Sequence, residues 1–306
     1  MTSRCVEEPE TMKLEFGARS DTGRTRENNE DSFASALELN LFVLSDGMGG
    51  LAAGEVASKV ACETVIKRCR DAESNPALPL MGEHLAGLSL ISNRLASAIR
   101  VANHVVYAAA QSDEQKRGMG ATVVAIWFVD EQRVSVAHVG DSRIYRLRGA
   151  EFVQLTQDHS FVAEQVRRGM MTQYEADNSN MQNMLLRALG VEPEVQVDVN
   201  EKDLMEGDTL LLCSDGLTRE LSNAQISATL AEAGSAQESA NRLIDLANQA
   251  GGGDNITAVV VRYAAKPVGT FARWGKWFNG AKKVTAQHSG AGARRIESTR
   301  GLKCQN

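Results

Sequence analysis

The chain has 306 residues, a formal net charge of −6 and a hydrophobic content of 43%. These totals are typical of a globular protein with a sizeable core, built from one large domain or two modest ones. No apolar stretch approaches the roughly 18 residues of a membrane span, and the N-terminus MTSRCVEEPE has no hydrophobic signal segment. We therefore expect a cytoplasmic protein, and the lack of a Cys-x-x-Cys pair argues against a zinc or redox site.

The net charge hides an asymmetry along the chain. Of the 33 basic and 39 acidic side chains, nine basic and one acidic lie in residues 264–306. That leaves 24 basic and 38 acidic side chains in residues 1–263, a net charge of −14. Such an acidic body is a poor partner for nucleic acid, but it suits a cation site.

The first third of the chain contains strands and then a helix. Residues 1–13 are expected to form a flexible leader. Two strands are predicted between Leu14 and about Val43, on either side of the polar segment SDTGRTRENNEDS. The stretch EVASKVACETVIKRC then has helical spacing, with a broad apolar face formed by Val56, Val60, Val65, Ile66 and Cys69.

The clearest helical pattern comes next, because apolar residues recur there every three or four positions. They are Leu88, Ile91, Leu95, Ile99, Ala102, Val105 and Ala109. The period then changes to two in ATVVAIWF, VSVAHVG, SRIYRLR and EFVQL, which predicts a meander of short strands. A polar, methionine-bearing insertion follows from about Phe161 to Gly190. After it, DTLLLCS and ITAVVVRY are predicted strands, and SAQE is the capping box of a helix between them.

Helices bracketed by runs of antiparallel-type strands indicate an α+β fold rather than alternating strand and helix units. Two antiparallel sheets packed together, with helices outside, fit the alternation of apolar residues. We find no internal repeat and no heptad pattern in the sequence.

Several predicted strands begin or end at a carboxylate beside small or polar turn residues. LFVLSDGMGG delivers an aspartate in this way, TLLLCSDGL repeats the arrangement and GGGDNITAVVV reverses it. A hairpin turn explains any one of them, because Asp-Gly is a strong turn dipeptide. The full set is Glu30, Asp31, Asp46, Asp141, Asp215 and Asp254. A joint explanation is a shared edge of the sandwich, where converging carboxylates need positive charge to remain ionised.

Divalent metal ions would supply that charge, and the ligand type narrows the choice. Oxygen ligands without clustered histidine or cysteine suit Mg²⁺ or Mn²⁺, and no DxDxDG calcium loop is present. The glycine after Asp46, Gly47, would let a backbone carbonyl approach an ion. A carboxylate that bridges two ions is the usual arrangement for activating water against a phosphoester.

Arg26 is the candidate residue for binding a phosphoryl group. It precedes Glu30 by four residues, and a guanidinium grips phosphate through two parallel hydrogen bonds. The competing interpretation is a solvated surface charge.

Taken together, these segments resemble a known family. Eight motifs stand in order: R-x-x-x-E-D from Arg26 to Asp31, SDGMGG with the following Gly54 and Glu55, GATVV, VGDSRIY, LTQDHS, LLRALG, SDGL and GDNIT. Their order is that of the metal-dependent protein phosphatase (PPM) family, the type 2C protein serine/threonine phosphatases. The chain is most similar to the bacterial branch of that family, and the resemblance covers roughly residues 14–263.

The resemblance implies an αββα sandwich with a metal cluster in a cleft at one edge. By position, Asp46 would bridge two Mg²⁺ or Mn²⁺ ions. Asp215 and Asp254 would hold the first ion, and Glu30 with the carbonyl of Gly47 would hold the second.

The resemblance also implies the remaining parts of the site. Asp141, with Asp215, resembles the third-metal site of the bacterial members. Arg26 would bind the phosphoryl group of the substrate. A water or hydroxide bridging the two ions would attack phosphorus in line, without a phosphoenzyme. Residues 161–190 would be a flap beside the cleft that selects substrates.

The sequence departs from the family pattern at two positions. Eukaryotic members place a histidine two residues after the first metal aspartate, where this chain has Met48. The nearest motif histidine is His159, for which a structural role is equally open, so the general acid stays unassigned. Asp31 is likewise an uncertain member of the site. Many members carry an acid where this chain has Arg219, followed by Glu220, which puts the third metal ion in question.

The predicted function is hydrolysis of phosphoserine and phosphothreonine in proteins, opposing a serine/threonine kinase. An alternative is a catalytically weak regulator that binds phosphoproteins through the same fold. A third is a hydrolase of small phosphoesters or nucleotides, for which no nucleotide-binding loop is found in the sequence.

Residues 264–306 are expected to form a basic, tryptophan-containing, disordered tail. GTFARWGKWFNGAKK places Trp274 and Trp277 among basic residues. Such a segment suits a protein partner or an anionic membrane surface, and both interpretations remain open beside disorder.

Overall fold

The computed structural model describes residues 14–49, 53–232 and 234–263. The strands in these residues are β1 (Leu14–Asp21), β2 (Asp31–Ala36), β3 (Leu41–Met48), β4 (Gly120–Ala121), β5 (Val123–Asp130), β6 (Arg133–Val139), β7 (Arg143–Arg148), β8 (Glu151–Gln154), β9 (Asp198–Asp203), β10 (Thr209–Cys213) and β11 (Ile256–Tyr263). The α-helices are α1 (Ala53–Ser74), α2 (Leu90–Ser112), α3 (Phe161–Arg167), α4 (Gln173–Asp177), α5 (Asp215–Glu220), α6 (Asn223–Ala231) and α7 (Ala236–Ala250).

The strands form two antiparallel sheets. One has the order β1-β11-β10-β7-β8, and the other has the order β2-β3-β5-β6-β9, with the short β4 paired to β3. Helices α1 and α2 share an apolar core with the second sheet, and α5, α6 and α7 share another with the first. A third core lies between the sheets. The predicted αββα sandwich of the α+β class is therefore confirmed.

Along the central strands, successive side chains point to opposite faces of the sheet and so belong to different cores. In β3, Leu41 and Val43 pack beneath α1 and α2, whereas Phe42 and Leu44 pack between the sheets. Strands β10 and β11 divide their side chains in the same way. Because both faces of the central strands are covered, their sequences are continuous apolar runs and not a simple alternation of polar and apolar residues.

The second of the two strands predicted between Leu14 and about Val43 is in fact two strands, β2 and β3. A short 3-10 turn over Leu37–Leu39 reverses the chain between them. Asn40 follows the turn with φ of 52°, a left-handed conformation that asparagine tolerates better than most residues. The resulting hairpin places Asp31 directly opposite Asp46.

The helices occur where the periodicity predicts them, and most predicted apolar positions, such as Val65 in α1 and Leu95 in α2, are buried, but one on each helix is exposed. Val56 and Val105, both predicted on apolar faces, are 36% and 41% exposed. Their neighbours Ala57 and Val106 are buried instead. Small residues such as Ala61 let α1 approach both α2 and the sheet closely, and hydrophobicity alone does not reveal that preference.

The predicted capping box of α7 is confirmed. The Ser235 hydroxyl accepts a hydrogen bond from the Glu238 backbone N–H at 3.1 Å, and the Glu238 carboxylate accepts one from the Ser235 backbone N–H at 2.6 Å. Two donors that the helix itself leaves unpaired are thereby satisfied.

The predicted leader (residues 1–13) and tail (residues 264–306) lie outside the described residues. Within the part of the chain that is described, no helix combines the length and apolar character needed to cross a bilayer.

Gly17 of β1 marks the point where α7 touches the backbone of the sheet. A Cβ atom there would lie 2.2 Å from the backbone nitrogen of Gln237 and 2.4 Å from the carbonyl carbon of Ala236. Gly17→Ala would push α7 away, so we expect it to lower the free energy of unfolding by about 3 kcal/mol. Chemical denaturation measures the loss.

Gly149→Ala is the matched control for that substitution. An added Cβ at Gly149 has no atom within 4 Å, so the change brings only the strain of a positive φ of 57°. That strain costs about 1 kcal/mol. Equal losses in the two variants would show that close packing of α7 is not what requires glycine at position 17.

Candidate active site

A cavity of about 220 Å³ opens where strand ends of the two sheets meet. Its described lining residues are Arg26, Glu30, Asp46, Gly47, Met48, Gly49, Thr122, Asp141, Asn183, Leu185, Asp215, Arg219, Asp254 and Asn255. Every residue predicted to bind a metal ion or a phosphoryl group is therefore brought to one cleft. The two uncertain residues, Asp31 and His159, are not among the residues that line it.

The antiparallel pairing explains this convergence. Asp215 follows β10 and Asp254 precedes β11, and these strands are neighbours in the first sheet. Glu30 precedes β2 and Asp46 lies near the end of β3, and these strands are neighbours in the second sheet. Asp141 follows β6. Because antiparallel neighbours place the end of one strand beside the start of the other, distant segments reach the same edge.

Thr122 holds the backbone of Asp46. The Asp46 N–H donates to the Thr122 hydroxyl at 3.0 Å, and the Thr122 N–H donates to the Asp46 carbonyl at 2.8 Å. The Thr122 hydroxyl also lies 2.7 Å from the Ser142 hydroxyl, next to Asp141. One buried threonine thus links the segments that carry two of the aspartates.

The Glu30 carboxyl lies against the first turn of α1. The backbone N–H of Gly54 donates to it, and a Cβ on Gly54 would lie 2.6 Å from its carboxyl carbon. Gly47 fills the neighbouring space: its N–H donates to the Glu30 carbonyl at 3.0 Å, and a Cβ on Gly47 would lie 2.0 Å from the Gly54 carbonyl oxygen. No side chain fits at either glycine.

Asp31 is buried beneath the cleft. Its Oδ2 accepts hydrogen bonds from the Ser214 and Thr257 hydroxyls, both at 2.7 Å. Its Oδ1 is buried without a hydrogen-bond partner among the described residues. Asp31 therefore connects β2 of one sheet to β10 and β11 of the other, directly under the aspartates of the cleft.

Asn255 organises the loop that carries Arg26 and Glu30. Its Oδ1 accepts from the Glu30 N–H at 2.8 Å, and its Nδ2 donates to the carbonyls of Thr22 and Asn28 at 2.9 Å each. The polar segment between β1 and β2 is thereby fixed against the start of β11.

Two arginines neutralise the carboxylates on one side of the cleft. Arg26 binds Asp254 through two parallel contacts, from Nε to Oδ1 at 2.9 Å and from Nη2 to Oδ2 at 3.0 Å. Arg219 contacts Asp254 Oδ2 through Nη1 at 3.2 Å and forms an ion pair with Asp215 through Nη2.

Several carboxyl groups in and beneath the cleft have pKa values above their ordinary range. Burial is the main cause that raises the pKa of Asp31 and of Asp141 to about 7, and nearby carboxylates contribute to that rise. Burial, together with Asp31 and Asp215, raises the pKa of Asp46 well above its ordinary value. Burial also raises the pKa values of Asp215 and Glu30.

These observations fit a divalent metal ion. The predicted donors are carboxylate oxygens and the Gly47 carbonyl, and no histidine or cysteine is among the described residues of the cleft. Such a set suits Mg²⁺ or Mn²⁺. Clustered carboxylates with raised pKa values are groups that a bound cation would stabilise in the ionised form.

His159 is hydrogen-bonded to Gly140, next to Asp141, and is not among the residues that line the cleft. It is 1% exposed. Its backbone N–H donates to the Gly140 carbonyl at 2.9 Å, and its Nδ1 accepts from the Gly140 N–H at 3.2 Å. Its Nε2 lies 3.2 Å from a carboxylate oxygen of Asp198, which also binds Arg187 at 2.7 Å. These contacts describe a structural histidine.

The insertion at residues 161–190 borders the cleft. Leu185 pairs with Ser160 in an isolated bridge, and the N–H of Leu186 donates to the His159 carbonyl at 2.7 Å. Asn183 and Leu185 line the cleft. The alternate residues Met184 and Leu186 are instead 52% and 48% exposed. The segment therefore presents alternate side chains to the cleft and to solvent.

Sequence reasoning assigned no role to Thr122, Asn255 or Ser214. All three stand inside motifs noted in the sequence, namely GATVV, GDNIT and SDGL. In the sequence, the only indication of their importance is that each lies beside an acidic residue or a strand end. Their roles become visible only in the structure, where they form hydrogen bonds between segments distant in the chain.

The model of the protein phosphatase 2C family matches residues 22–249. The chain belongs to the protein phosphatase 2C family. A curated 2C-family relative, the serine/threonine phosphatase stp of Listeria innocua, is 39% identical over 253 residues, which are 82% of this chain and 95% of that protein. The serine/threonine protein phosphatase PstP of Mycobacterium tuberculosis is 39% identical over 250 residues. That match spans 82% of this chain but 45% of PstP.

Solved 2C-family structures share the fold. The crystal structure of Mycobacterium tuberculosis PstP/Ppp has a TM-score of 0.71 at 37% identity, covering 82% of this chain and 99% of that one. The catalytic domain of PstP in complex with two manganese ions has a TM-score of 0.69 at 38% identity, covering 83% of this chain and 100% of that one.

The raised pKa values in this 2C-family cleft predict how stability depends on pH. Asp31 has an ordinary pKa of 3.8 and a folded-state pKa of about 7, so the folded protein binds more protons than the unfolded chain between these values. Its contribution to stability is therefore complete at low pH and is lost as the pH rises through about 7. We expect the metal-stripped protein to lose free energy of unfolding between about pH 4 and pH 7, and Asp31 should cause no further loss above that range.

Asp31→Asn isolates that contribution. The histidines and the acids outside the cluster are common to both proteins, so the difference between wild type and Asp31→Asn leaves the titration of Asp31 and of the aspartates it faces, Asp46 above all. The wild type should lose more stability than the variant across the range, as measured by chemical denaturation in EDTA. Parallel curves for the two proteins would contradict the assignment.

Proposed function

We propose that this protein hydrolyses phosphoserine and phosphothreonine in proteins with the help of two Mn²⁺ or Mg²⁺ ions. The observation that carries the proposal is the convergence of Glu30, Asp46, Asp215 and Asp254 beside Arg26 in one cleft. Relatives named as serine/threonine phosphatases and the PstP domain with two manganese ions support the same activity.

In this proposal the carboxylates divide between the ions. Asp46 would hold both, Asp215 and Asp254 would complete one, and Glu30 with the Gly47 carbonyl would complete the other. Two divalent ions at such a site lower the pKa of water and offset negative charge on a phosphoryl group. Support comes from the oxygen-only donor set and the raised pKa of Asp46. Asp141 with Asp215 remains the proposed place of a third ion.

Arg26 is the proposed ligand of the phosphoryl group. Its guanidinium is half exposed and is held at the cleft by two contacts with Asp254. A planar guanidinium can offer two parallel N–H donors to phosphate oxygens, so it would orient the substrate for attack from the opposite side. The contact with Asp254 shows that its reach extends into the cluster of carboxylates.

The general acid stays unassigned among the described residues. Met48 lines the cleft but has no proton to donate, and His159 is buried behind the Asp141 loop. A histidine general acid is therefore no part of the proposal.

The experiment is phosphate release from a phosphothreonine peptide, first with metal-stripped protein and then with added Mn²⁺. We expect release that depends on Mn²⁺ and falls roughly a hundredfold or more in Asp254→Asn, because a metal ligand is lost. Circular dichroism of the variant checks that the fold is retained. Mn²⁺-independent activity, or full activity in the variant, would refute the two-metal assignment.

A catalytically weak phosphoprotein-binding regulator is the alternative, and the experiment separates the two. Folded wild-type protein that binds the phosphopeptide but releases no phosphate at any Mn²⁺ concentration would support the regulator. The intact set of cleft carboxylates favours the enzyme.

We further propose that residues 161–190 are a flap that selects substrates. Asn183 and Leu185 border the cleft, and this insertion exposes an unusual share of large apolar side chains. These are Met170, Tyr174, Met181, Met184 and Leu186. Exposed apolar surface of this kind commonly contacts a partner, and methionine adapts to varied partners.

The double substitution Met184→Ser with Leu186→Ser tests the flap. We expect it to raise KM for a phosphothreonine protein about fivefold, because apolar contact with the substrate is lost. Hydrolysis of p-nitrophenyl phosphate, which is too small to span the flap, should not change. The matched control is Leu90→Ser, which alters a leucine 54% exposed on α2. Equal effects on both substrates, or an equal effect of the control, would contradict the proposal.

The protein partners are proposed more broadly. A phosphatase of this kind would oppose a serine/threonine kinase, and phosphorylated proteins would be its substrates.

We propose a cytoplasmic location, which the buried free thiols of Cys62, Cys69 and Cys213 support. The role of residues 264–306 toward a partner or a membrane surface stays a prediction from the sequence.

A further inference from the structure

Arg219 lies in the cleft at a place where two of the proposed metal ligands meet. It is the fifth residue of α5 and follows Asp215 by one helical turn. Its Nη2 forms an ion pair with Asp215 Oδ2, and its Nη1 lies 3.2 Å from Asp254 Oδ2. One guanidinium therefore spans carboxylates from two different strand ends.

The backbone around Arg219 is held firmly in this position. A Cβ on Gly216 would lie 2.1 Å from the Asn255 carbonyl oxygen, so α5 packs tightly against the loop of Asp254. On the other side, the Glu220 carboxylate accepts a hydrogen bond from the Gly253 N–H at 2.8 Å. Arg219 therefore contacts Asp254 across an interface, between α5 and the loop before β11, that other close contacts already hold together.

Asp254 receives two guanidinium groups at once. Arg26 contacts both of its carboxylate oxygens, and Arg219 contacts Oδ2 as well. Its side chain is 19% exposed, so solvent screens these charges only in part. Two positive charges already offset the negative charge of this carboxylate and of Asp215.

We propose that Arg219 is a resident counter-cation that competes with a divalent metal ion for Asp215 and Asp254. The inference rests on the proposed function, because it assumes that these aspartates bind the ion. An incoming ion must displace the guanidinium from the carboxylates or share them with it. Either event costs free energy, so Arg219 weakens metal binding and raises the metal concentration at which the cleft fills.

Competition of this kind differs from a stabilising helix pair. An ordinary ion pair between residues four apart would add a small stabilisation to the helix that does not depend on the metal concentration. A competing counter-cation instead stabilises the metal-free protein and loses that contribution when an ion binds. The two roles therefore predict different responses of stability to Mn²⁺.

The test is calorimetric titration of Mn²⁺ alone into metal-stripped wild-type, Arg219→Gln and Arg219→Lys proteins. We expect Arg219→Gln to bind Mn²⁺ roughly tenfold to a hundredfold more tightly, because a positive charge within contact distance of the ligands is removed. Arg219→Lys keeps the charge and should stay close to wild type. Arg242→Gln removes the same charge from an exposed pair with Glu232 and should also leave the affinity unchanged.

Thermal unfolding supplies a second measurement. Relative to wild type, Arg219→Gln should unfold at a lower temperature without metal and gain more from saturating Mn²⁺. A merely structural arginine would lower the two unfolding temperatures equally, and that result would overturn the proposal. Equal Mn²⁺ affinity in wild type and Arg219→Gln would overturn it too.

Asp254→Asn separates this inference from the function on which it rests. If Asp254→Asn weakens Mn²⁺ binding while Arg219→Gln leaves it unchanged, the metal site stands and the competition is refuted. If folded wild-type and Arg219→Gln proteins both fail to bind Mn²⁺, the proposed metal centre and the competition fail together.

Discussion

Mutual repulsion among buried carboxylates is the constraint on which the cleft depends. Asp31, Asp46, Asp141 and Asp215 all have raised pKa values, first because burial disfavours their charge and then because they face one another. A fold gains nothing in stability from such a cluster, so its presence indicates function. The ions proposed for the cleft would convert this repulsion into attraction, which links the electrostatics of the fold directly to its proposed chemistry.

The sandwich can tolerate this cluster because its central strands are covered on both faces. Apolar side chains of β3, β10 and β11 fill cores on either side of each sheet, and these cores hold the strand ends in place. Hydrogen bonds then fix the individual segments: Thr122 holds Asp46, and Asn255 holds the loop before Glu30. Rigid elements with an ordered supporting shell are what a precise arrangement of charges requires.

Membership of the protein phosphatase 2C family accounts for the shared architecture, and the departures give this chain its own character. Met48 brings no ionisable group to the cleft, whereas Arg219 places a positive charge beside two aspartates. Arg219 therefore offsets part of the negative charge that bound cations would otherwise neutralise. The exposed apolar residues between 170 and 186 are a further feature of the surface that a substrate would meet.

The sequence by itself determined the α+β class, the order of most elements and the acidic residues of the cleft, because strand periodicity and motif order are local properties of the chain. It misjudged the hairpin of β2 and β3 and the exposure of Val56 and Val105, since a reversal at Asn40 and the close approach of helices depend on neighbours distant in sequence. Tertiary structure alone decided the roles of Asp31, His159, Asn255 and Arg219. Each role is defined by hydrogen bonds or ion pairs with partners far along the chain or by burial, and only folding brings those partners within reach.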